Sequence, residues 1–207
     1  MQTLYIDTMN RINSVGMGSN WTPPLGVPSG DYFNIAGGNA VSNVYADDTY
    51  AIFIGNTAPF SSAQFSQITV GQITTAGAND AGIGCIVRAN VNNTWVRCFA
   101  THGVNTISVM DIQVNGAYRE MAQAVYSVNT GDKILLTSNV SANPAVYTMY
   151  VNGVQVLQAN DANISGCTGA PGIAYSSEDS GSPLDGVNNW TGGIMATRNY
   201  GLISFIE

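Results

Sequence analysis

Charge is what this 207-residue sequence most lacks: Asp, Glu, Lys and Arg make up 9% of it, six basic residues against thirteen acidic ones, for a net charge of −7. An ordinary soluble domain carries roughly 25%. So acidic a balance offers no basic stripe to neutralise phosphates, and no nucleic-acid partner is expected. Long apolar runs are also missing. No segment approaches the ~18 residues of a membrane-spanning helix, so no membrane partner is expected either. The opening Met1-Gln2-Thr3-Leu4-Tyr5-Ile6-Asp7 has neither a basic n-region nor an apolar h-region, which leads us to expect no secretory leader. Histidine occurs once, at His102. Cys85, Cys98 and Cys167 form no CxxC pair and no zinc spacing.

Helical periodicity is nearly absent. Polarity comes from Asn, Ser, Thr and Gln with 23 glycines, while hydrophobic residues reach 45%, enough to argue against disorder. Alternating runs recur between Gly and Asn punctuation about every 8–12 residues, the pattern of an all-β sandwich. The strand candidates are 3–9, 50–54, 62–72, 83–89, 95–101, 107–114, 133–138, 145–151 and 154–159, with a short one at 172–175. Asn152-Gly153 between two such runs predicts a type I′ hairpin turn. A second hairpin joins 83–88 to 95–100. Pairing Ala89 with Thr94 sets Arg88 against Trp95, Val87 against Val96 and Cys85 against Cys98. One face then carries Ile83, Cys85, Val87, Val96 and Cys98 as core, and the other Ile86, Arg88, Trp95, Arg97 and Phe99. The thiols are expected inward and reduced, as small hydrophobes.

The segments Asp7-Thr8-Met9-Asn10-Arg11 and Met17-Gly18-Ser19-Asn20-Trp21-Thr22 resemble the D-x-F-x-R…L-G-x-x-W opening of concanavalin A-like (laminin-G-like) jelly rolls. Met9 and Met17 stand where that pattern usually has Phe and Leu. Further matches follow in order: Phe33-Asn34-Ile35, Ala81-Gly82-Ile83-Gly84 with Arg88, Asn129-Thr130-Gly131-Asp132-Lys133-Ile134, Tyr150-Val151-Asn152-Gly153-Val154, Gly169-Ala170-Pro171-Gly172-Ile173 and Asn189-Trp190-Thr191-Gly192-Gly193. The resemblance covers the chain to about Gly193. It implies one all-β sandwich of two antiparallel sheets over residues 1–207, with 194–207 a C-terminal extension pairing with the sandwich or a neighbour. The scaffold hosts lectins, glycan hydrolases, lyases and structural modules, so it does not by itself choose a function.

Glycan hydrolysis needs two carboxylates flanking the bond. On one strand they would sit at alternate positions, and no strand candidate carries such a pair with Glu. Asp47-Asp48 and Glu178-Asp179 are adjacent and loop-like, and the lone His102 reads as a solvated turn residue. We therefore expect a protein that is not an enzyme. Arg88, Trp95 and Arg97 form the sharpest binding candidate: an indole flanked by guanidinium groups can stack on a sugar and donate to its hydroxyls. The competing reading of the same residues is cross-strand cation–π packing. No cofactor is expected unless it is calcium, for which Asp161 and Asn163 are the candidate oxygen ligands. The competing reading there is a side chain capping its own turn. Trp21 and Trp190 read as core plugs.

Stand-alone jelly rolls of this kind are similar to modules of bacteriophage virion proteins. The primary expectation is therefore a non-catalytic virion structural protein, a capsid decoration or cement or a tail-associated component, located in the virion. Its partners would be copies of itself and other virion proteins. The alternative is a carbohydrate-binding, lectin-like adhesion module with a glycan partner. Ten Tyr and three Trp supply interface residues for either, and the apolar run 200–207 is expected to pair in its own sheet.

Overall fold

Two-residue turns with positive φ set the hairpins. Asn152 and Gly153 have φ of 49° and 84°, as the type I′ turn requires. Asn115 and Gly116 (51° and 85°) make a second such turn, and Gly37 and Gly38 (59° and 76°) a third. The computed structural model describes residues 3–22, 33–42, 49–53, 60–61, 63–73, 81–90, 94–102, 107–139, 144–163, 169–176 and 185–195. Every regular element among them is a strand. In chain order they are β1 (Thr3–Asp7), β2 (Trp21–Thr22), β3 (Phe33–Ala36), β4 (Asn39–Ser42), β5 (Thr49–Phe53), β6 (Gln64–Gln72), β7 (Ala81–Asn90), β8 (Thr94–His102), β9 (Ile107–Val114), β10 (Ala117–Val125), β11 (Lys133–Asn139), β12 (Ala145–Val151), β13 (Val154–Asp161), β14 (Ala170–Ser176) and β15 (Gly186–Ile194). The C-terminal run 200–207, for which intramolecular pairing was expected, lies outside the described residues.

All the pairings are antiparallel and build two sheets. The eight-stranded sheet runs β13-β12-β11-β6-β15-β4-β3, with β1 also paired to β15. The seven-stranded sheet runs β10-β9-β8-β7-β14-β5-β2. The Cys85 thiol donates to the Ile134 carbonyl of the other sheet at 3.3 Å, which fixes the inward side of β7. Cys85 pairs with Cys98, and Cys98 with Met110, so these and Val87, Val96 and Ile112 face the core. Trp21 and Trp190 meet edge to face at 4.8 Å between the sheets, both buried, as the sequence led us to expect. A smaller cluster of Ala63, Phe65, Leu135 and Met195, with Tyr150 against it, forms apart from the main core.

The motif at the chain's start is a hydrogen-bonded knot around Asp7. Its carboxylate accepts from the backbone N–H of Met9, both terminal nitrogens of Arg11 and the Trp21 indole. Arg11 in turn donates to the Met17 carbonyl. Met9, at φ 54° and fully buried, is the side chain that this tight loop drives into the core. The D-x-F-x-R…W spacing is thus the reach of one carboxylate to three donors.

Candidate functional site

The three residues singled out for binding do not share a surface. Val87 pairs with Val96, but the next pair is Asn90 with Thr94, so Arg88 and Ala89 stand against Trp95 alone. This two-against-one bulge replaces the expected pairing of Ala89 with Thr94. Arg88 adopts φ 60° and turns away from the Trp95 and Arg97 face. It is fully buried, donating to the Tyr147 hydroxyl of β12 at 2.6 Å with its guanidinium over that ring. Gln64 pins the bulge by accepting the Arg88 backbone N–H and donating to the carbonyls of Ser61 and Gly169. A positive-φ arginine survives here because the backbone around it is hydrogen-bonded on both sides.

Trp95 and Arg97 keep the face predicted for them, opposite Val96 and Cys98 and pointing away from the other sheet. Neither is open to a ligand. Trp95 is 3% exposed and cannot serve as a stacking plane. Arg97 clasps Asp111 of β9, Nη2 to Oδ2 at 2.6 Å and Nε to both oxygens at 3.0–3.1 Å, and stacks on Phe99 at 4.6 Å. With Asp111 fully buried, this is an interior ion pair rather than a binding group. The packing reading of these residues, not the ligand reading, matches their burial.

A feature that the sequence reading missed adjoins this pair. Glu120 of β10 stands directly opposite Asp111 on the same outer face of the seven-stranded sheet. Two carboxylate-bearing residues therefore stand at one cross-strand register position, on neighbouring strands and not on one strand. Asp111, however, is already engaged. Arg97 bonds both Asp111 oxygens and Asp111 is fully buried, whereas Glu120 is exposed. Along the same face, Tyr118 lies opposite Gln113 and Gln123 opposite Val109. Tyr118 is 58% exposed, Glu120 and Gln123 are exposed, and Gln113 is half-buried. Among the described residues, the most accessible part of this face is therefore the β9–β10 margin, carrying a phenol, two amides and a carboxylate.

The two calcium candidates, Asp161 and Asn163, bond to each other. Asp161 accepts the Asn163 backbone N–H at 2.6 Å and the Asn163 side-chain amide at 3.2 Å. Its Oδ2 also pairs with Arg119, which ties β13 to β10 across the sandwich rim. These contacts are those of the capping reading, with the carboxylate also paired to a guanidinium. No cluster of three or more His, Cys, Asp or Glu occurs among the described residues. Cys85 and Cys98 are free, buried and directly opposed, as expected. Burial, reinforced by the adjoining Cys85 thiol, pushes the Cys98 thiol well above its usual range. Cys167, Asp47, Asp48, Glu178 and Asp179 lie outside the described residues.

No family's sequence model matches this chain, and no curated protein matches it in sequence. Solved structures do match in shape. The carbohydrate-binding module CBM66 of Bacillus subtilis superposes with a TM-score of 0.52 at 14% identity, over 84% of this chain and 98% of that one. The Emp47p carbohydrate recognition domain gives 0.56 at 11% identity, over 93% and 95%. An endo-1,3-β-glucanase from Streptomyces sioyaensis gives 0.57 at 12% identity, over 95% and 97%. At such identities the likeness establishes the fold: this chain is a concanavalin-like jelly-roll β-sandwich.

Proposed function

We propose that this protein is a non-catalytic glycan-binding module. The observation that carries the reading is its likeness, over most of its length, to proteins described as a carbohydrate-binding module and a carbohydrate recognition domain. The Streptomyces glucanase shares the scaffold, so catalysis has to be argued from residues rather than from shape. The one facing carboxylate pair described above has Asp111 committed to Arg97, which favours recognition without cleavage. The test is affinity electrophoresis of the purified protein through gels containing soluble polysaccharides, with reducing ends assayed in parallel. Retardation by at least one glycan without release of reducing ends is expected. Unretarded migration in every gel, or turnover of any glycan, would refute the reading.

A second reading, docking on copies of itself or on a virion shell, draws on a different surface. Leu4 and Ile6 of β1 are 41% and 58% exposed, and Ile12 and Val15 just beyond are 90% and 96% exposed. Exposed apolar groups close in sequence suit an interface. Such a protein would be located in the virion and would assemble at micromolar concentration without binding glycan. The structural neighbours favour the first reading.

A further inference from the structure

We propose that Gln113, Tyr118, Glu120 and Gln123 form the glycan-contact strip, and that the glycan it takes is uncharged. The proposal rests on the glycan-binding reading and adds to it a place and a ligand class. Two independent observations support it, one about access and one about charge.

The first is access. On the outer face of the seven-stranded sheet, the central positions Ile86, Arg97, Phe99, Val109 and Asp111 are all less than 10% exposed. Among the described residues, the exposed polar side chains of this face gather where β9 meets β10. There Tyr118 offers a ring with an apolar face and a polar tip, the form that stacks on the C–H face of a pyranose or furanose. Gln113, directly opposite, both donates and accepts, and so does Gln123, matching hydroxyls that do the same. Glu120 accepts from sugar hydroxyls with the added strength of an ionised acceptor. From Tyr118 to Gln123 the strand advances ~16 Å, a length suited to a short run of sugars rather than one ring. The register break between Glu120 and Ala122 keeps Glu120 and Gln123 on the outer side despite their odd spacing.

The second is charge. Recognition of a uronate or sulfate calls for guanidinium or ammonium groups presented to solvent. Of the six basic residues, Arg198 lies outside the described residues. Arg11 and Arg119 remain 36% and 53% exposed but are each paired with a carboxylate, Asp7 and Asp161, and Arg119 lies opposite the core residue Ile112, off the strip's face. Arg97 is bound to Asp111, and Arg88 is buried against Tyr147. Lys133 stands on β11 of the other sheet. The strip itself carries Glu120, and the whole chain has a net charge of −7. A polyanion approaching the strip meets repulsion at both short and long range. A neutral glycan meets none.

The experiment uses the full chain and depletion binding to two sets of probes. The neutral set is β-1,3-glucan, xylan, mannan and a fructan, and the acidic set is polygalacturonate, alginate and heparin. Each is assayed at low salt and at about 0.3 M salt, where surface electrostatics are largely screened. We expect binding to at least one neutral glycan, changed less than about twofold by salt, and none to the polyanions. Tyr118→Ala should weaken that binding at least about tenfold and Gln123→Ala measurably. Tyr118→Phe, which keeps the ring, should retain most of it. Val154→Ala, exposed on the other sheet, should bind as wild type, and melting curves should show all four variants folded. Salt-sensitive binding of a polyanion, or neutral binding untouched by Tyr118→Ala, overturns the strip or its ligand class and leaves the glycan-binding reading standing. Binding to neither set overturns that reading, and the strip with it.

Discussion

Removing one partner of the Arg97–Asp111 pair should be among the most damaging single changes in the seven-stranded sheet. The two side chains are 4% and 1% exposed, so neither charge can recover solvation when its partner is lost. Breaking a buried pair of this kind costs about 3–5 kcal/mol, because an uncompensated charge is left behind. For a chain of this length that amounts to a fall in melting temperature of roughly 6–20 °C. Asp111→Leu and Arg97→Met should each show it. The double variant replaces both charges with apolar groups and should recover at least half of the summed loss, since the desolvation penalty vanishes with the charges. Urea unfolding of wild type, both single variants and the double variant closes the cycle, with unchanged m-values confirming that stability alone has moved. If either single variant loses less than about 1 kcal/mol, or if the double variant loses the sum of the two, the pair is not the buried, mutually dependent unit described above.

Three further outcomes test other parts of the structure. Burial opposes ionisation of Asp7, but hydrogen bonds from Arg11, the Met9 N–H and Trp21, together with the Arg11 charge, outweigh it and hold its pKa below the ordinary carboxylate value. The unfolded chain therefore binds the extra proton, and the stability this knot contributes is complete above about pH 4 and lost as pH falls through the lower folded value. The melting-temperature gap between wild type and Asp7→Asn should accordingly shrink below about pH 4, and a gap constant from pH 7 to 2.5 would contradict the knot. Gly84→Ala should cost at least about 3 kcal/mol in urea unfolding, since a Cβ there would stand 1.9 Å from the Cys98 carbonyl oxygen and 2.6 Å from the Phe99 Cα, which are backbone atoms that cannot swing aside. A loss below 1 kcal/mol would show that β7 and β8 are not so closely apposed. Cys85 and Cys98 should be inert to a disulfide reagent in the native protein at pH 8 and react only after unfolding, so that Cys98→Ser lowers the unfolded count by one and leaves the native count unchanged.

The strands that the sequence made legible are those whose side chains alternate and whose turns are Asn-Gly. β12 and β13 are clear for both reasons. β10 was missed although Asn115-Gly116 announces its turn as plainly as Asn152-Gly153 announces the other. Its sequence, Ala117-Tyr-Arg-Glu-Met-Ala-Gln-Ala-Val, is built from good helix formers, and being an edge strand it lacks the β-branched pattern of a buried one. The omission mattered, because the accessible strip lies on that strand. The bulge at Arg88 is a different case. Alternation counted straight through it puts the arginine outside, whereas its hydrogen-bond partners are Gln64 and Tyr147, 24 residues before it and 59 after it. Pairing across such separations is tertiary information that no local pattern holds. The Arg97–Asp111 contact was closer to hand. Aligning β8 with β9 about their connection sets those two residues opposite each other, and opposite charges on one face are a pairing signal.

Scarcity of charge has a structural consequence that bears on both functional readings. A surface with few charges offers little repulsion to a second copy of the chain. The fold spends several of its few charges internally, on Arg88 in the core, Arg97 with Asp111, and Asp161 under Arg119, so the surface is poorer in cations than the composition alone implies. Yet the two surfaces that the readings need are separate. Tyr5 of β1 packs inward on Phe60, so alternation turns Leu4 and Ile6 to the outer face of the eight-stranded sheet, while Tyr118 stands on the outer face of the other. On the two proposed readings, the glycan and a second copy would take opposite sides of the sandwich, and the two activities should separate by mutation. Ile6→Lys places a charge where an interface core would have to be dry and should abolish any self-association seen by light scattering. Glycan retention should be unchanged in that variant. Tyr118→Ala should do the reverse. If Ile6→Lys weakens glycan binding as much as Tyr118→Ala does, the two faces are coupled, and the division of labour between the sheets is wrong.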